Sequence, residues 1–448
     1  MMRMRLRVEK IAAFLLLLGL FFVPANGAAA QGVSEVIVLT VDTAIVPATH
    51  SYIERGLREA EERGAEAVLL VLDTPGGAVP ATLNIVQTIR ASEIPVIVYV
   101  GPRGAAAASA GLLVTLAGHL AVMAPETVIG ASSPVGLQGE DLEDTLDQKV
   151  KELLSAEARG LAERRGEEAV ALADAAIMEA RAVSSTEALE AGLIDFIADD
   201  IGGVLEQADG RVIEVAGGEH TLDTAHVTTT FLEMSPLEEF LIILTDPNLI
   251  FLLFTAGAVA IVIEIVTPGG WISGVVGVTC VGLAMYGAGV LPVNWLGIVF
   301  IIMAFVLFIL DIKTPTHGAL TAGAIACLIA GALLLLNQPA MRPFGRLSIP
   351  FVVTVALLMG AFFFFILSKA LQAQTRTPTT GKEGLVGKVG RVTEQIDPVG
   401  KVAVWGERWR AVSADGEPLS EQIRVEIVAV DGMTLRVRPV KESSSGDE

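Results

Sequence analysis

The chain has few cysteines, few aromatic residues and a deficit of positive charge. Only two cysteines, Cys280 and Cys327, occur among 448 residues, and both lie inside apolar runs. This number argues against a disulfide framework and against a zinc site built from thiolates. The five histidines lack metal-binding spacing such as His-Glu-x-x-His. We therefore expect neither a metal nor an organic cofactor.

The shortage of positive charge excludes another class of partner. The chain has 31 lysines and arginines against 51 acidic residues, which gives a formal net charge of −20. Proteins that bind nucleic acid need an excess of basic side chains to replace phosphate counterions. We expect no nucleic-acid partner and interpret most of the acidic residues as solvated surface.

Apolar residues are abundant and unevenly distributed. They make up 52% of the chain, and the mean hydropathy of +0.61 is too high for a soluble protein. They concentrate near the N-terminus and in five runs, each about long enough to cross roughly 30 Å of hydrocarbon. The runs lie near 248–266, 271–291, 294–311, 318–336 and 349–368. We predict a transmembrane bundle over residues 236–370, in which 236–245 form an interfacial helix and Glu264 makes a helix-end or interhelical hydrogen bond.

Residues 1–30 have the features of a signal peptide. A basic start precedes the apolar run Ile11–Val23, and Ala28–Ala30 supply the small residues of a cleavage site. An uncleaved anchor helix is the alternative. Either places the following domain outside the cytoplasmic membrane, and five crossings would then return the C-terminus to the cytoplasm. We predict a multi-pass protein of the cell membrane.

Residues 31–230 alternate between strand and helix patterns. Apolar strands near 33–46, 67–72 and 95–100 are separated by helical spacing at 50–63 and 81–91. This rhythm predicts parallel βαβ units, whose functional loops lie at the carboxyl ends of the strands.

A candidate nucleophile, Ser109, follows one of these strands in the run Ala105–Gly111. A serine hydroxyl attacks a carbonyl only if a base accepts its proton. His119 would lie roughly 15 Å away along the same predicted helix, too far to touch the hydroxyl. Lys149, at the start of the next predicted helix, is the better candidate, and we prefer it to Lys151. It would have to be neutral, and burial beside an apolar substrate would favour that form.

The backbone near Ser109 offers donors for a tetrahedral oxyanion. Gly76 and Gly77 leave the main chain unhindered, and the N–H of Ala110 follows the nucleophile directly. The plainer alternative is that Gly76-Gly77 is an ordinary turn and Ser109 an ordinary helix N-cap. Their shared position on one sheet edge favours the catalytic interpretation.

The C-terminal part has a different pattern. Residues 371–382 resemble a linker, and 383–441 contain five short alternating runs that predict a small all-β barrel of the OB fold. We interpret this barrel as a protein-contact module. Residues 442–448 are expected to form a disordered tail.

Several motifs carry a resemblance to a known family. They are Asp73–Gly77, Ala107–Gly111, Met123–Pro125, Ile129–Ala131, Ser185–Ala188 and Gly192–Asp195. In this order they resemble the ClpP/crotonase-fold peptidases. The succession of signal peptide, peptidase domain, membrane bundle and OB barrel is similar to the long, membrane-bound NfeD proteins, the partner proteases of stomatin-type proteins.

The resemblance implies a membrane-anchored serine endopeptidase. It implies a Ser-Lys dyad at Ser109 and Lys149 and an oxyanion hole that includes Gly77 and Ala110. It also implies cleavage of apolar segments in membrane-associated partners, such as stomatin-, flotillin- or prohibitin-like proteins, by a homo-oligomer in contact with lipid.

Three alternatives stay open. The first is a catalytically silent scaffold that organises stomatin- or flotillin-type membrane patches. The second is an acyl-CoA enzyme of the crotonase type, which an exported location disfavours. The third is a transporter, which the scarcity of polar groups in the spans disfavours.

Overall fold

The structure is a computed structural model that describes residues 34–130, 143–266, 269–314, 316, 318–367, 369 and 382–440. The predicted signal peptide, all but the last residue of the predicted linker and the predicted tail lie outside these residues. The chain divides into two compact units. The first unit contains the chain up to Asp311 together with Thr316–Gly360. The second unit contains Ile312–Pro315 and the chain from Ala361 onward.

A six-stranded sheet organises the N-terminal domain. Its strands have the order β11-β1-β2-β3-β5-β8, and every neighbouring pair is parallel. A small sheet of order β4-β6-β7 lies beyond its carboxyl edge, and β9 and β10 form a hairpin. The strands are β1 (Glu35–Val41), β2 (Ala67–Leu72), β3 (Val96–Val100), β4 (Ala106–Ala108), β5 (Leu120–Met123), β6 (Val128–Gly130), β7 (Ala182–Ser184), β8 (Phe196–Ile197), β9 (Val212–Val215), β10 (Gly218–Thr221) and β11 (Thr228–Phe231).

Helices cover this sheet and bury its apolar runs. Strands buried on both faces read as continuous Val, Ile and Leu rather than as alternation, and β2 and β3 have that composition. The predicted α/β domain is confirmed. The helices are α1 (Pro47–Arg63), α2 (Val79–Arg90), α3 (Ala110–Ala117), α4 (Glu143–Ala162), α5 (Glu167–Met178), α6 (Ser185–Glu190) and α7 (Ile201–Ala208).

The helix that carries the two candidate lysines differs from its prediction. It begins at Glu143, so Lys149 lies in its second turn rather than at its start. Leu154 and Ala158 are buried on this helix, whereas Leu153 is 53% exposed. The buried face of this helix includes Leu154, Ser155 and Ala158.

The membrane region contains five apolar helices after a short helix, α8 (Pro236–Ile243). They are α9 (Pro247–Val266), α10 (Ile272–Val290), α11 (Leu296–Lys313), α12 (Ala319–Leu336) and α13 (Ile349–Ala361), which continues as a π-helical segment, Phe362–Leu367. By length and composition, α9, α10 and α12 are able to cross a membrane, while α11 and α13 form shorter apolar helices among the described residues. The number of crossings stays a prediction.

Glu264 has the helix-end role expected for it. Its carboxylate accepts hydrogen bonds from the N–H of Trp271 at 3.1 Å, the hydroxyl of Ser273 at 2.6 Å and the N–H of Gly274 at 3.3 Å. Donors at the start of α10 are thereby satisfied, which apolar surroundings demand. Asp311 likewise accepts hydrogen bonds from the hydroxyls of Thr316 and Thr321 at the start of α12.

The second unit contains the predicted barrel. Its strands close in the order β12-β13-β14-β16-β15, with β14 and β16 parallel and the other pairs antiparallel. The core consists of alternating positions such as Val402, Val425 and Leu435. An OB-like barrel is therefore confirmed. Its strands are β12 (Val389–Glu394), β13 (Val399–Val404), β14 (Glu407–Ser413), β15 (Arg424–Asp431) and β16 (Thr434–Pro439).

Candidate active site

Ser109 lies beyond the carboxyl edge of the main sheet, between β4 and α3. Its N–H donates to the carbonyl of Gly130 at 2.8 Å, and its carbonyl accepts from Leu112 at 3.1 Å. These two bonds fix the main chain on both sides of the side chain. The residue is half-buried.

The backbone of Ser109 is strained. Its φ of 51° and ψ of −110° lie in a region that residues with a side chain rarely adopt. Strain of this kind costs about 1–3 kcal/mol and persists where the surroundings enforce it, often at functional sites. A strand-to-helix turn with this geometry presents the serine hydroxyl to an incoming group.

The geometry does not match an ordinary N-cap. An N-cap residue has extended dihedrals, and its side chain accepts a hydrogen bond from the first helical turn. Ser109 has neither feature. Within the part of the chain that the structure describes, its hydroxyl forms no hydrogen bond, and this leaves it available for chemistry.

Gly76 is the nearest main chain on the other side of Ser109. A Cβ at Gly76 would lie 2.9 Å from the Ser109 Cβ and 3.5 Å from its Oγ, and the φ of Gly76 is 112°. Its N–H donates to the Thr74 hydroxyl at 3.2 Å. Of the three predicted oxyanion residues, Gly76 therefore provides space beside the nucleophile, because its amide already has a partner.

Gly77 and Ala110 are the better amide donors. Within the described residues, neither N–H donates a hydrogen bond. The residues on either side of Gly77 form the hydrogen bonds of its bridge to Ile45. The Ile45 N–H donates to the Gly76 carbonyl, and the Ile45 carbonyl accepts from the Ala78 N–H, both at 2.8 Å. A Cβ at Gly77 would lie 2.1 Å from the Ile45 carbonyl oxygen, so only glycine fits. Ala110 opens α3, where the helix dipole also favours negative charge.

Two residues that we did not predict position these groups. The Thr74 main chain bonds to β4 on both sides, at 2.7 Å to Ala106 and 3.0 Å to Ala108, and its buried hydroxyl donates to Thr43 at 2.8 Å. The Asp73 carboxylate accepts from the N–H of Ala106 at 3.0 Å. Their position directly after β2, at the same sheet edge as Ser109, was the available sequence signal.

The two candidate lysines lie on α4. Lys149 is exposed and Lys151 is half-buried. Within the described residues, neither ammonium group forms a hydrogen bond or an ion pair. The structure therefore brings Ser109, Gly76, Gly77 and Ala110 together, and it holds both lysines on α4 without a hydrogen bond to the hydroxyl.

His119 has a structural role, which agrees with the sequence argument against it as the base. It is 4% exposed, and its Nδ1 accepts from the N–H of Val96 at 3.0 Å. Burial, followed by the nearby charges of Arg90 and Arg164, lowers the pKa of His119 to about 4. The imidazole is thus neutral and engaged at the opposite edge of the sheet, where β3 begins.

Known families match the chain over three successive segments. Residues 35–216 match the N-terminal domain of NfeD1b, residues 248–369 the NfeD integral membrane domain, and residues 382–439 the NfeD-like C-terminal, partner-binding domain. Together they reproduce the predicted order of peptidase-like domain, membrane helices and barrel.

Two full-length relatives extend these matches. Membrane-bound protease PH1510 of Pyrococcus horikoshii is 36% identical over 423 residues, which are 92% of this chain and 95% of that protein. Membrane protein NfeD1b of Bacillus subtilis is 26% identical over 453 residues, covering 95% and 98% of the two chains.

Solved structures match the separate domains. A lysine-to-alanine mutant of the 1510-N membrane-bound stomatin-specific protease, in complex with a substrate peptide, is 32% identical, with a TM-score of 0.43. It covers 47% of this chain and 97% of that one. The C-terminal domain of stomatin operon partner protein 1510-C from Pyrococcus horikoshii is 36% identical, with a TM-score of 0.14, and covers 14% and 98%. On the identity and coverage of the full-length relatives, this chain belongs to the NfeD family of membrane proteins, which includes a membrane-bound protease.

Proposed function

We propose that the chain is a membrane-bound serine endopeptidase that uses a Ser-Lys dyad. Ser109 is the nucleophile, Lys149 accepts its proton, and Gly77 and Ala110 donate to the oxyanion. The observation that carries the proposal is the Ser109 turn, where a strained serine without a capping bond adjoins two amides that have no partner among the described residues.

The exposure of Lys149 suggests how substrate takes part. A general base must be neutral to accept the proton of Ser109, and water around an exposed amine favours the charged form. An apolar peptide that covers the amine would remove water and favour the neutral form. Such activation would restrict cleavage to apolar segments, because a polar peptide would leave the lysine solvated and charged.

The domain order supports a membrane-associated protein as substrate or partner. A named relative is a membrane-bound protease, and the barrel belongs to a partner-binding domain type. We propose a stomatin-, flotillin- or prohibitin-like protein as partner, a homo-oligomeric enzyme in contact with lipid, a peptidase domain outside the cytoplasmic membrane and a cytoplasmic barrel.

Cleavage by the purified full-length protein in detergent or nanodiscs tests this function. Apolar peptides should be cleaved at least ten times faster than matched peptides in which serine replaces leucine. Ser109→Ala and Lys149→Ala should each abolish cleavage, whereas Lys151→Ala should retain most of it. Cleavage that survives Ser109→Ala would refute the assignment, and its absence under all conditions, with partner binding intact, would favour the scaffold.

A further inference from the structure

The edge of the sheet that carries Ser109 is also the edge at which the chain leaves for the membrane. All six strands of the main sheet are parallel, so their carboxyl ends lie together. β2 ends in the glycine loop Asp73–Gly77, and β11 ends at Phe231, from which the chain continues into α8. β11 pairs with β1, and directly after it the N–H of Leu232 donates to the carbonyl of Val38 at 3.0 Å.

A set of mostly part-buried polar contacts fixes this exit against α1. The Arg55 guanidinium donates to both carboxylate oxygens of Glu238, at 3.0 and 2.7 Å, and to the carbonyl of Glu233 at 2.8 Å. The Tyr52 hydroxyl donates to the carbonyl of Leu232 at 2.6 Å. Glu238 is only 8% exposed, so its charge depends on this partner. We call these contacts the Arg55–Glu238 clamp.

The clamp residues on α1 lie a few positions along the chain from the residue that holds the candidate oxyanion loop. The α1 helix begins at Pro47, two residues after Ile45, whose main chain holds Gly76 and Ala78. From Pro47 to Arg55 the helix rises only about 12 Å. The glycine loop is therefore attached at the start of α1, and α8 is attached within the first nine of that helix's 17 residues.

The outer side of α8 is apolar and uncovered. Leu237, Phe240 and Ile243 are spaced three residues apart and are 65%, 44% and 56% exposed. This spacing forms a stripe along one side of the helix. The membrane-crossing helix α9 begins at Pro247, so the three intervening residues span at most about 14 Å. The lipid surface that α9 would enter is therefore within reach of this stripe.

We propose that α8 lies in the bilayer interface through Leu237, Phe240 and Ile243, and that the clamp turns the Ser109 edge of the sheet towards the lipid. The neighbouring charges on α8 are acidic, so binding depends on apolar insertion rather than on anionic lipid. The inference rests on the proposed function and deepens it: the Ser109 site receives apolar segments where they emerge from the bilayer.

Spin labels on the full-length protein in phosphatidylcholine proteoliposomes test the insertion of α8. In a background with Cys280→Ala and Cys327→Ala, nitroxides at Leu237→Cys and Phe240→Cys should be accessible to oxygen and protected from a water-soluble nickel chelate. The control is Val212→Cys, which is 60% exposed on β9 and should show the reverse. If the α8 labels behave like the control, the lipid assignment fails. It also fails if the labels gain protection only as the protein density rises, and that outcome indicates that another copy of the chain covers the stripe.

Energy transfer to headgroup acceptors tests the orientation. Asp42 follows β1 at the Ser109 edge, and Glu62 lies near the far end of α1; both are exposed. The rise of α1 predicts that a donor at Asp42→Cys lies roughly 20 Å nearer to the lipid than one at Glu62→Cys. Equal distances, or a nearer Glu62, would overturn the orientation.

Charge exchange tests the clamp. Arg55→Glu should reduce the difference between the two distances, and Arg55→Glu with Glu238→Arg should restore it. A difference that persists in Arg55→Glu would exclude the clamp. None of these measurements uses cleavage, so their failure is distinct from a failure of the proposed peptidase function.

Discussion

The residues around Ser109 have almost no side chains, which would leave room for a substrate. Gly76 lies against its Cβ, and the preceding residues of β4 are alanines. The strained backbone of Ser109 and the open space at Gly76 are complementary. The strained turn directs the hydroxyl outward, and the missing side chain at Gly76 leaves room for a substrate carbonyl. Both are properties of the main chain rather than of a polar cluster.

A methyl group at Gly76 should therefore slow the reaction of Ser109. Gly76→Ala would place a Cβ 2.9 Å from Ser109 at a φ of 112°, so we expect at least a tenfold slower reaction of the hydroxyl with a fluorophosphonate. Gly104→Ala is the matched control, because Gly104 has a φ of 86° but no atom within 4 Å of a Cβ. It should cost about 1–2 kcal/mol of stability and leave the reaction nearly unchanged. Equal losses in both variants would contradict the steric explanation.

His119 should make the N-terminal domain sensitive to acid. Its folded-state pKa of about 4 lies below the ordinary 6.5, so the unfolded chain binds a proton first as the pH falls. The stabilisation is complete above pH 6.5 and is lost as the pH falls to about 4, by roughly 3 kcal/mol in all.

Melting temperatures of the solubilised protein at pH 7.5 and 4.5 measure this effect. His119→Asn offers an acceptor to Val96 without a proton-binding site in this range, so its melting temperature should fall less. An identical fall in wild type and variant would show that other groups cause the acid sensitivity.

At the scale of elements, local patterns predicted more than long-range contacts did. The buried runs of β2 and β3 and the short alternating strands of the barrel are local signals, and their assignments are confirmed. The edge strand β11 is three threonines and a phenylalanine, with no apolar alternation, and it forms only because β1 offers an edge. The Arg55–Glu238 pair joins residues 183 positions apart, so no local pattern announces it.

The candidate site shows the same division. Ser109 and the glycine pair stand out in the sequence because small residues surround them. The roles of Thr74 and Asp73 depend on the parallel contact between β4 and the loop after β2, and the exposure of Lys149 depends on where α4 begins. Neither feature is encoded in the spacing of the residues themselves.

Glycines in the membrane helices set the distance between neighbours. A Cβ at Gly277 of α10 would lie 2.9 Å from the N–H nitrogen of Ile261 and 2.9 Å from the Gly257 carbonyl oxygen on α9. Gly331 and Gly297 repeat this contact between α12 and α11. Small residues at such crossings allow close backbone packing in lipid.

Gly277→Leu should separate α9 from α10 and destabilise the solubilised protein by about 1–3 kcal/mol. Gly282→Leu, on the same helix with nothing within 4 Å of a Cβ, should leave the melting temperature within a degree or two. A stable Gly277→Leu protein would show that this crossing does not limit packing.

At the scale of the whole molecule, the account predicts domains on opposite sides of one membrane. Five crossings would place the proposed peptidase domain outside and the barrel inside. Glu62→Cys and Ser420→Cys, both exposed, should differ in intact cells: an impermeant maleimide should label the first, and the second should react only after lysis. Labelling of both in intact cells would require an even number of crossings.

The most direct test of the central claim is the site at which a fluorophosphonate reacts. Mass spectrometry of the labelled full-length protein should locate the adduct on Ser109, and Ser109→Ala should remove it. Lys149→Ala should slow labelling at least a hundredfold, while Lys151→Ala should slow it little. An adduct on another serine, or labelling of Ser109 that is indifferent to Lys149, would contradict the proposed dyad.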